Sequence, residues 1–187
     1  VSGTSQEPLE IELAQLEKDN SIDNNHIKIG PHYALYPDSI FEYEYDQWDS
    51  DEYTDSTELN YVYYPIISEN HQFFIQLAEI AAEYGDIDNI PIELWPEIED
   101  FSVLVKTTDF YSVGDIPETW LYEEEVRGVV INKIESLDSE EKNLLRESFP
   151  IADLDTVLLL DKGREPGSSF FPLLIELSLF SLLPGVH

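Results

Sequence analysis

The side chains of this sequence that could do acid–base or metal chemistry are 40 carboxylates and four histidines, with no cysteine among them. Paired carboxylates such as Glu42 and Glu44 share one face of an extended segment, a spacing that suits a general acid and a general base. In a chain this acidic, such pairs arise by chance, and a glycosidase would also need two carboxylates facing each other across a cleft. His26 and His32 stand six residues apart across Gly30-Pro31, which is not a metal-ligand spacing. His71 falls in a first helical turn and His187 is terminal. Without thiolates, a zinc or iron site would rest on these histidines plus carboxylates, so no metal and no cofactor are expected. The densest run of oxygen ligands is Asp49-Ser50-Asp51-Glu52-Tyr53-Thr54-Asp55-Ser56-Thr57-Glu58. Its sixth position is Thr54, where a calcium loop of the EF-hand kind needs glycine, so the run reads as a solvated loop. Phosphate-cradling glycine motifs and a G-x-S-x-G serine elbow are absent. No nucleophile, base and orienting group can be named together, so catalytic residues stay unassigned.

The second candidate chemistry is aromatic. Tyr33, Tyr36, Phe41, Tyr43, Tyr45, Tyr61, Tyr63 and Tyr64 could stack on bases or sugars, or pack across strands. Platforms for nucleic acid come with positive charge. Here no Lys or Arg occurs from Ile29 to Val105, while 18 Asp and Glu do. Seven of the nine basic residues lie between Lys106 and Arg164, and the formal net charge is −31. Such a field repels nucleic acid and anionic lipid, and attracts cations and basic surfaces. Expected partners are therefore a basic protein surface or divalent cations; solubility or adaptation to salt is the plainer use of the charge.

The elements that must position these residues follow from periodicity. Leu9, Ile11, Leu13 and Leu16 fit both a strand and a helix. His32 to Tyr36 reads as a short extended run. Ser39 to Tyr45 alternates, with Phe41, Tyr43 and Tyr45 on one face. An acidic, turn-rich stretch follows, and Tyr61 to Ile67 is its antiparallel partner, so the 38–58 region is expected to pair with 59–67. Pro65 places that partner at an edge or ends its regular pairing. Phe73, Leu77, Ile80 and Tyr84 predict a helix over 70–84, capped by Ser68 or Asn70 and stopped by Gly85. Strands are expected at Phe101–Thr107, Val126–Ile134 and Thr156–Leu160. Asp138 and Glu141 predict a capping box for a second helix that ends near Phe149-Pro150. Gly85-Asp86-Ile87 with Trp95, and Gly114-Asp115-Ile116 with Trp120, read as two copies of one loop type.

Residues 1–8 read as a linker or non-native chain end, and 9–167 as one acidic domain. The 168–187 segment is apolar: a core helix, a truncated membrane segment or an interfacial helix. The chain starts at Val1 and holds no methionine, so it is expected to be an excised fragment or a processed product. Leu13-Ala14-Gln15-Leu16-Glu17, Asn25-His26-Ile27-Lys28-Ile29 and Tyr63-Tyr64-Pro65-Ile66-Ile67-Ser68 together resemble a set of uncharacterised bacterial domains that lie between or beside membrane helices. The resemblance implies a membrane-tethered soluble domain and supplies no catalytic residues. The expected fold is α+β, a mostly antiparallel sheet with two or more packed helices. The expected function is a non-catalytic binding or scaffolding domain of a membrane-associated bacterial protein. An acidic nucleic-acid mimic that blocks a basic protein, in the cytoplasm, is the alternative. A hydrolase with an unrecognised carboxylate site is the third reading.

Overall fold

The computed structural model describes residues 7–43 and 53–167. The acidic stretch 44–52, with Glu44 and Tyr45, and the apolar segment 168–187, with His187, lie outside the described residues.

Among the described residues, nine strands form one sheet: β1 (Leu9–Ile11), β2 (His26–Ile29), β3 (His32–Ala34), β4 (Ile40–Tyr43), β5 (Leu59–Ile67), β6 (Val103–Thr107), β7 (Leu121–Glu123), β8 (Val126–Val130) and β9 (Leu158–Lys162). The protein is α+β. The expectation of a mostly antiparallel sheet is corrected: the sheet is mixed, because β1 joins β2 and β6 joins β9 in parallel.

The sheet curls back on itself. Only Gly30 and Pro31 separate β2 from β3, and only Glu124 and Glu125 separate β7 from β8. β2 pairs with β8, and β3 with β7, in one continuous antiparallel register from His26↔Val129 to Ala34↔Leu121. These four strands are thus one long bent ribbon. β3 also joins β5 and β8 also joins β9, and the β5–β6–β9 ladder completes the circuit. The inner face carries Ile27, Ile29, Tyr64, Ile66, Val103, Val105, Val126, Leu158 and Leu160, all buried in one cluster. Alternation sends Tyr63, Ile67, Leu104 and Leu159 to the outer face, where they meet Leu137, Leu145 and Phe149 in a second cluster.

Two backbone features make this sheet possible. A Cβ on Gly128 would lie 2.1 Å from the carbonyl oxygen of Asp161, so β8 and β9 approach as closely as they do only because this residue is glycine. Pro65 lies in the middle of β5, which has neighbours on both edges, so of the two expectations the edge position is corrected, whereas regular pairing on one side does break at Pro65, between β4 and β3. Its carbonyl accepts from the Leu35 amide at 2.9 Å. Its missing N–H therefore points to the edge where pairing passes from β4 to β3, and no bond to β6 is lost.

Among the described residues, three α-helices accompany the sheet: α1 (Leu13–Leu16), a single turn; α2 (Gln72–Tyr84); and α3 (Ser139–Ser148). The ambiguous 9–16 segment is a strand followed by that turn. Gly85 ends α2 in the left-handed conformation at φ 80°. The cap of α2 is His71, not Ser68 or Asn70. The Ser68 hydroxyl donates to Glu17 at 2.6 Å and accepts from the Asn70 amide at 3.1 Å, so it is engaged elsewhere. On α3 the Asp138 carboxylate accepts from the amides of Glu140 and Glu141, and Glu141 accepts from the Asp138 amide, which is the expected box. Two strands end differently from expectation. β8 stops at Val130, before a turn closed by Ile134 N–H on Ile131. β9 starts at Leu158 because Thr156 and Val157 belong to a turn closed on Asp153.

Candidate functional site

β4 covers only the first half of β5, and α3 crosses the outer face of the sheet beside it. Between them lies a groove of about 200 Å³. Ile40, Phe41, Glu42 and Tyr43 of β4 form one wall. Asp138, Glu140, Glu141 and Leu144 form the other, and Tyr61 and Tyr63 of β5 make the floor. The pairing of β4 with β5 is the antiparallel one expected from their alternation.

A charged pair on the same face of the sheet holds the floor. The two tyrosine rings meet edge to face at 5.2 Å. Lys106 Nζ stands 4.1 Å from the Tyr61 ring centroid and 5.4 Å from that of Tyr63. The same ammonium pairs with Glu135 at 2.5 Å, and the Tyr63 hydroxyl donates to that carboxylate as well. The Tyr61 hydroxyl donates to Glu141 at 3.2 Å. Burial first, and neighbouring carboxylates second, push both phenols above their ordinary range, so both stay protonated. Burial opposes ionisation of Glu135, but the hydrogen bonds from Lys106 and Tyr63 outweigh it and hold the carboxyl below its ordinary value.

The groove therefore presents aromatic surface, protonated phenols and a rim of carboxylates. Its neighbouring cation is already neutralised by Glu135. No nucleophile with a free base stands in it among the described residues.

The histidines are distributed elsewhere. His26 is fully buried and its Nε2 accepts from Arg127 Nε at 3.2 Å. His32 Nδ1 donates to the Gly30 carbonyl at 2.8 Å, which fixes the proton there, and its Nε2 lies 3.6 Å from Glu123. The Tyr36 hydroxyl donates to the other Glu123 oxygen at 2.5 Å, and the Tyr64 hydroxyl is buried nearby without a hydrogen bond among the described residues. His32, Tyr36 and Tyr64 are buried, so this cluster braces the interior and is closed to a substrate. His71 uses both ring nitrogens: Nδ1 accepts from the Phe73 amide and Nε2 donates to Asp100, each at 3.2 Å. Ser68 bonds to Glu17 instead, so no serine–histidine–carboxylate relay exists here.

Of the acidic run 49–58, residues 53–58 are described. Thr54 and Thr57 close a turn, and Asp55 and Thr57 carbonyls accept from Gly114 and Val113. Glu42 is exposed and accepts from Asn60 at 3.4 Å. The described aromatics do not form one platform. Tyr36 and Tyr64 face inward, Tyr33 packs on Phe74 and Tyr122, and Phe41 and Tyr43 meet Tyr53. Sequence reasoning missed Lys106, Glu135, Glu141 and Leu144 as groove residues. The one available signal was Lys106, the first basic residue after Lys28. Among the described residues, no group of three or more His, Cys, Asp or Glu is placed to hold a metal ion, and no helix is long and apolar enough to cross a membrane. In comparisons with protein-family models, curated proteins and solved structures, nothing matches the chain.

Proposed function

We propose that this protein is a non-catalytic binding domain that receives a basic segment of a partner protein in the groove between β4 and α3. One observation carries the reading: the half-buried Tyr61 ring lies inside a rim of carboxylates, and Lys106, the cation beside it, is already paired with Glu135. A basic segment would lay its aliphatic stems on Tyr61 and Tyr43 and its charges on Glu42, Glu140 and Glu141. The net charge of −31 would steer it there. The apolar 168–187 segment, with the resemblance to membrane-tethered bacterial domains, supports attaching this binding domain to a membrane.

Fluorescence anisotropy with a labelled octalysine peptide tests the groove. The peptide is expected to bind saturably, and the double variant Glu42→Gln/Glu141→Gln to bind about tenfold more weakly, the scale of one charged contact. The control Glu79→Gln/Glu83→Gln, which removes as much charge from exposed positions on α2, should leave affinity within twofold. Equal losses in the two variants would mean that only net charge is read, and would overturn the assignment to the groove.

A further inference from the structure

A second pocket, of about 390 Å³, opens at the opposite end of α3. Its aromatic walls are Phe73, Trp120 and Phe149, and Trp120 meets Phe73 edge to face at 5.4 Å, so the two rings form a corner. Phe73 and Phe149 are buried and rigid, whereas Trp120 is 37% exposed. Asp38, Glu97 and Glu147 stand around this corner, and no Lys or Arg lines it among the described residues. Glu147 to Phe149 form the last turn and cap of α3, where unsatisfied carbonyls add negative potential. Burial holds the Asp38 carboxyl above its ordinary value, partly offset by hydrogen bonding from Trp120.

We infer that this pocket binds a lysine side chain of the partner protein, with its ammonium between Asp38, Glu97 and Glu147 and its methylene stem against Trp120 and Phe73. The inference rests on the basic-segment reading of the groove, and charge complementarity selects the occupant. An apolar corner alone would accept any hydrophobic side chain, but three carboxylates around it disfavour one. The groove is lined by the first two turns of α3 and this pocket by its end, a rise of about 10 Å from Glu141 to Ser148. An extended segment covers that distance in roughly three residues. The partner segment is thus expected to carry a second lysine about three positions from the one in the groove.

The test is an NMR titration of the full ¹⁵N-labelled chain with N-acetyl-lysine methylamide, following the Trp120 indole N–H. This signal is expected to shift saturably, and the Glu97→Gln/Glu147→Gln variant to lose at least tenfold in affinity. N-acetyl-norleucine methylamide, which keeps the stem without the charge, should leave the signal in place. Equal shifts with norleucine would assign the pocket to an apolar occupant, such as the chain's own 168–187 segment, and overturn the proposal. Tighter binding of N-acetyl-arginine methylamide would overturn the choice of lysine. Glu42→Gln/Glu141→Gln should not alter the Trp120 response. A silent Trp120 in a protein that still binds octalysine through the groove would therefore sink this inference alone.

Discussion

Lys106 sets the charge of the groove floor. Its side chain is 17% exposed and that of its partner Glu135 is 32% exposed, so their ion pair is screened less than a surface pair. Lys106→Met keeps the stem and removes the charge. Glu135 then retains the Tyr63 hydroxyl but loses its cation, at an expected cost of about 1–2 kcal/mol. The groove simultaneously loses the positive charge beside Tyr61, so octalysine should bind more tightly while the protein unfolds at lower urea. A variant that loses stability and binds more weakly would show that Lys106 shapes the groove instead of setting its potential. Gly128 is a residue of the opposite kind, with no chemistry and a purely steric duty. A Cβ 2.1 Å from the Asp161 oxygen cannot be relieved by a side-chain rotation, because the obstacle is backbone. Gly128→Ala should cost about 3 kcal/mol through separation of β8 from β9, readable as a lower denaturation midpoint.

At the scale of elements, α3 forms both the groove wall and the link to the second pocket, yet it is mostly polar and buries Leu145 alone along its length. Its stability leans on its ends. Asp138→Ala removes two hydrogen bonds to orphan amides and should cost about 1 kcal/mol; it should also weaken octalysine binding, because Asp138, Glu140 and Glu141 move together. Unchanged affinity with the expected loss of stability would mean that the groove wall is held by Leu145 and Phe149 alone. The capping box, the 3.6-residue recurrence in α2 and the two-residue alternation in β4 and β5 are local patterns, so the sequence shows them. The circuit of the sheet is not local. It depends on pairing residues 26–34 with 121–130, and nothing in either segment names the other. Pro65 is legible only in part for the same reason: a proline argues for an edge or a break in pairing, and which of the two holds depends on where β4 and β3 meet beside it. Tyr61 and Tyr63 were visible as candidate aromatics, but not as a floor: their neighbours on β4 are Ile40 and Glu42, whereas the alternation of β4 drew attention to Phe41 and Tyr43. The Lys106–Glu135 pair was not visible, because 29 residues and a second ladder separate its members.

For the whole molecule, the decisive quantity is uncompensated charge. Lys28, Lys106, Arg127, Lys142, Lys162 and Arg164 all have carboxylate partners, yet 40 carboxylates face nine basic residues. Self-repulsion opposes the compact state at neutral pH, and salt screens it over about 10 Å at 0.1 M. Salt also weakens the exposed ion pairs, but each of those contributes only about 0–1 kcal/mol, so screening of the excess prevails. The melting temperature at pH 7 is expected to rise with sodium chloride. Acid acts on the same excess in two stages. As pH falls from 7 toward about 5, the carboxylates with ordinary or raised values begin to take up protons and repulsion eases, so stability should rise. Glu135, Glu123 and Asp109 behave oppositely, since their folded values lie below the ordinary ones. Their contribution is complete above the unfolded value, near 4, and is lost as pH falls through the folded values. The melting temperature at low salt should therefore peak near pH 5, above the isoelectric point of about 4.1, and drop below pH 4. In 0.5 M sodium chloride the neutral side of that profile should flatten, because repulsion is screened there already. The acid side should persist, because Lys106–Glu135 and Tyr36–Glu123 are partly shielded from solvent. A low-salt profile that is highest at pH 8 would mean that the surface carboxylates stabilise this fold through local bonds instead of straining it by repulsion.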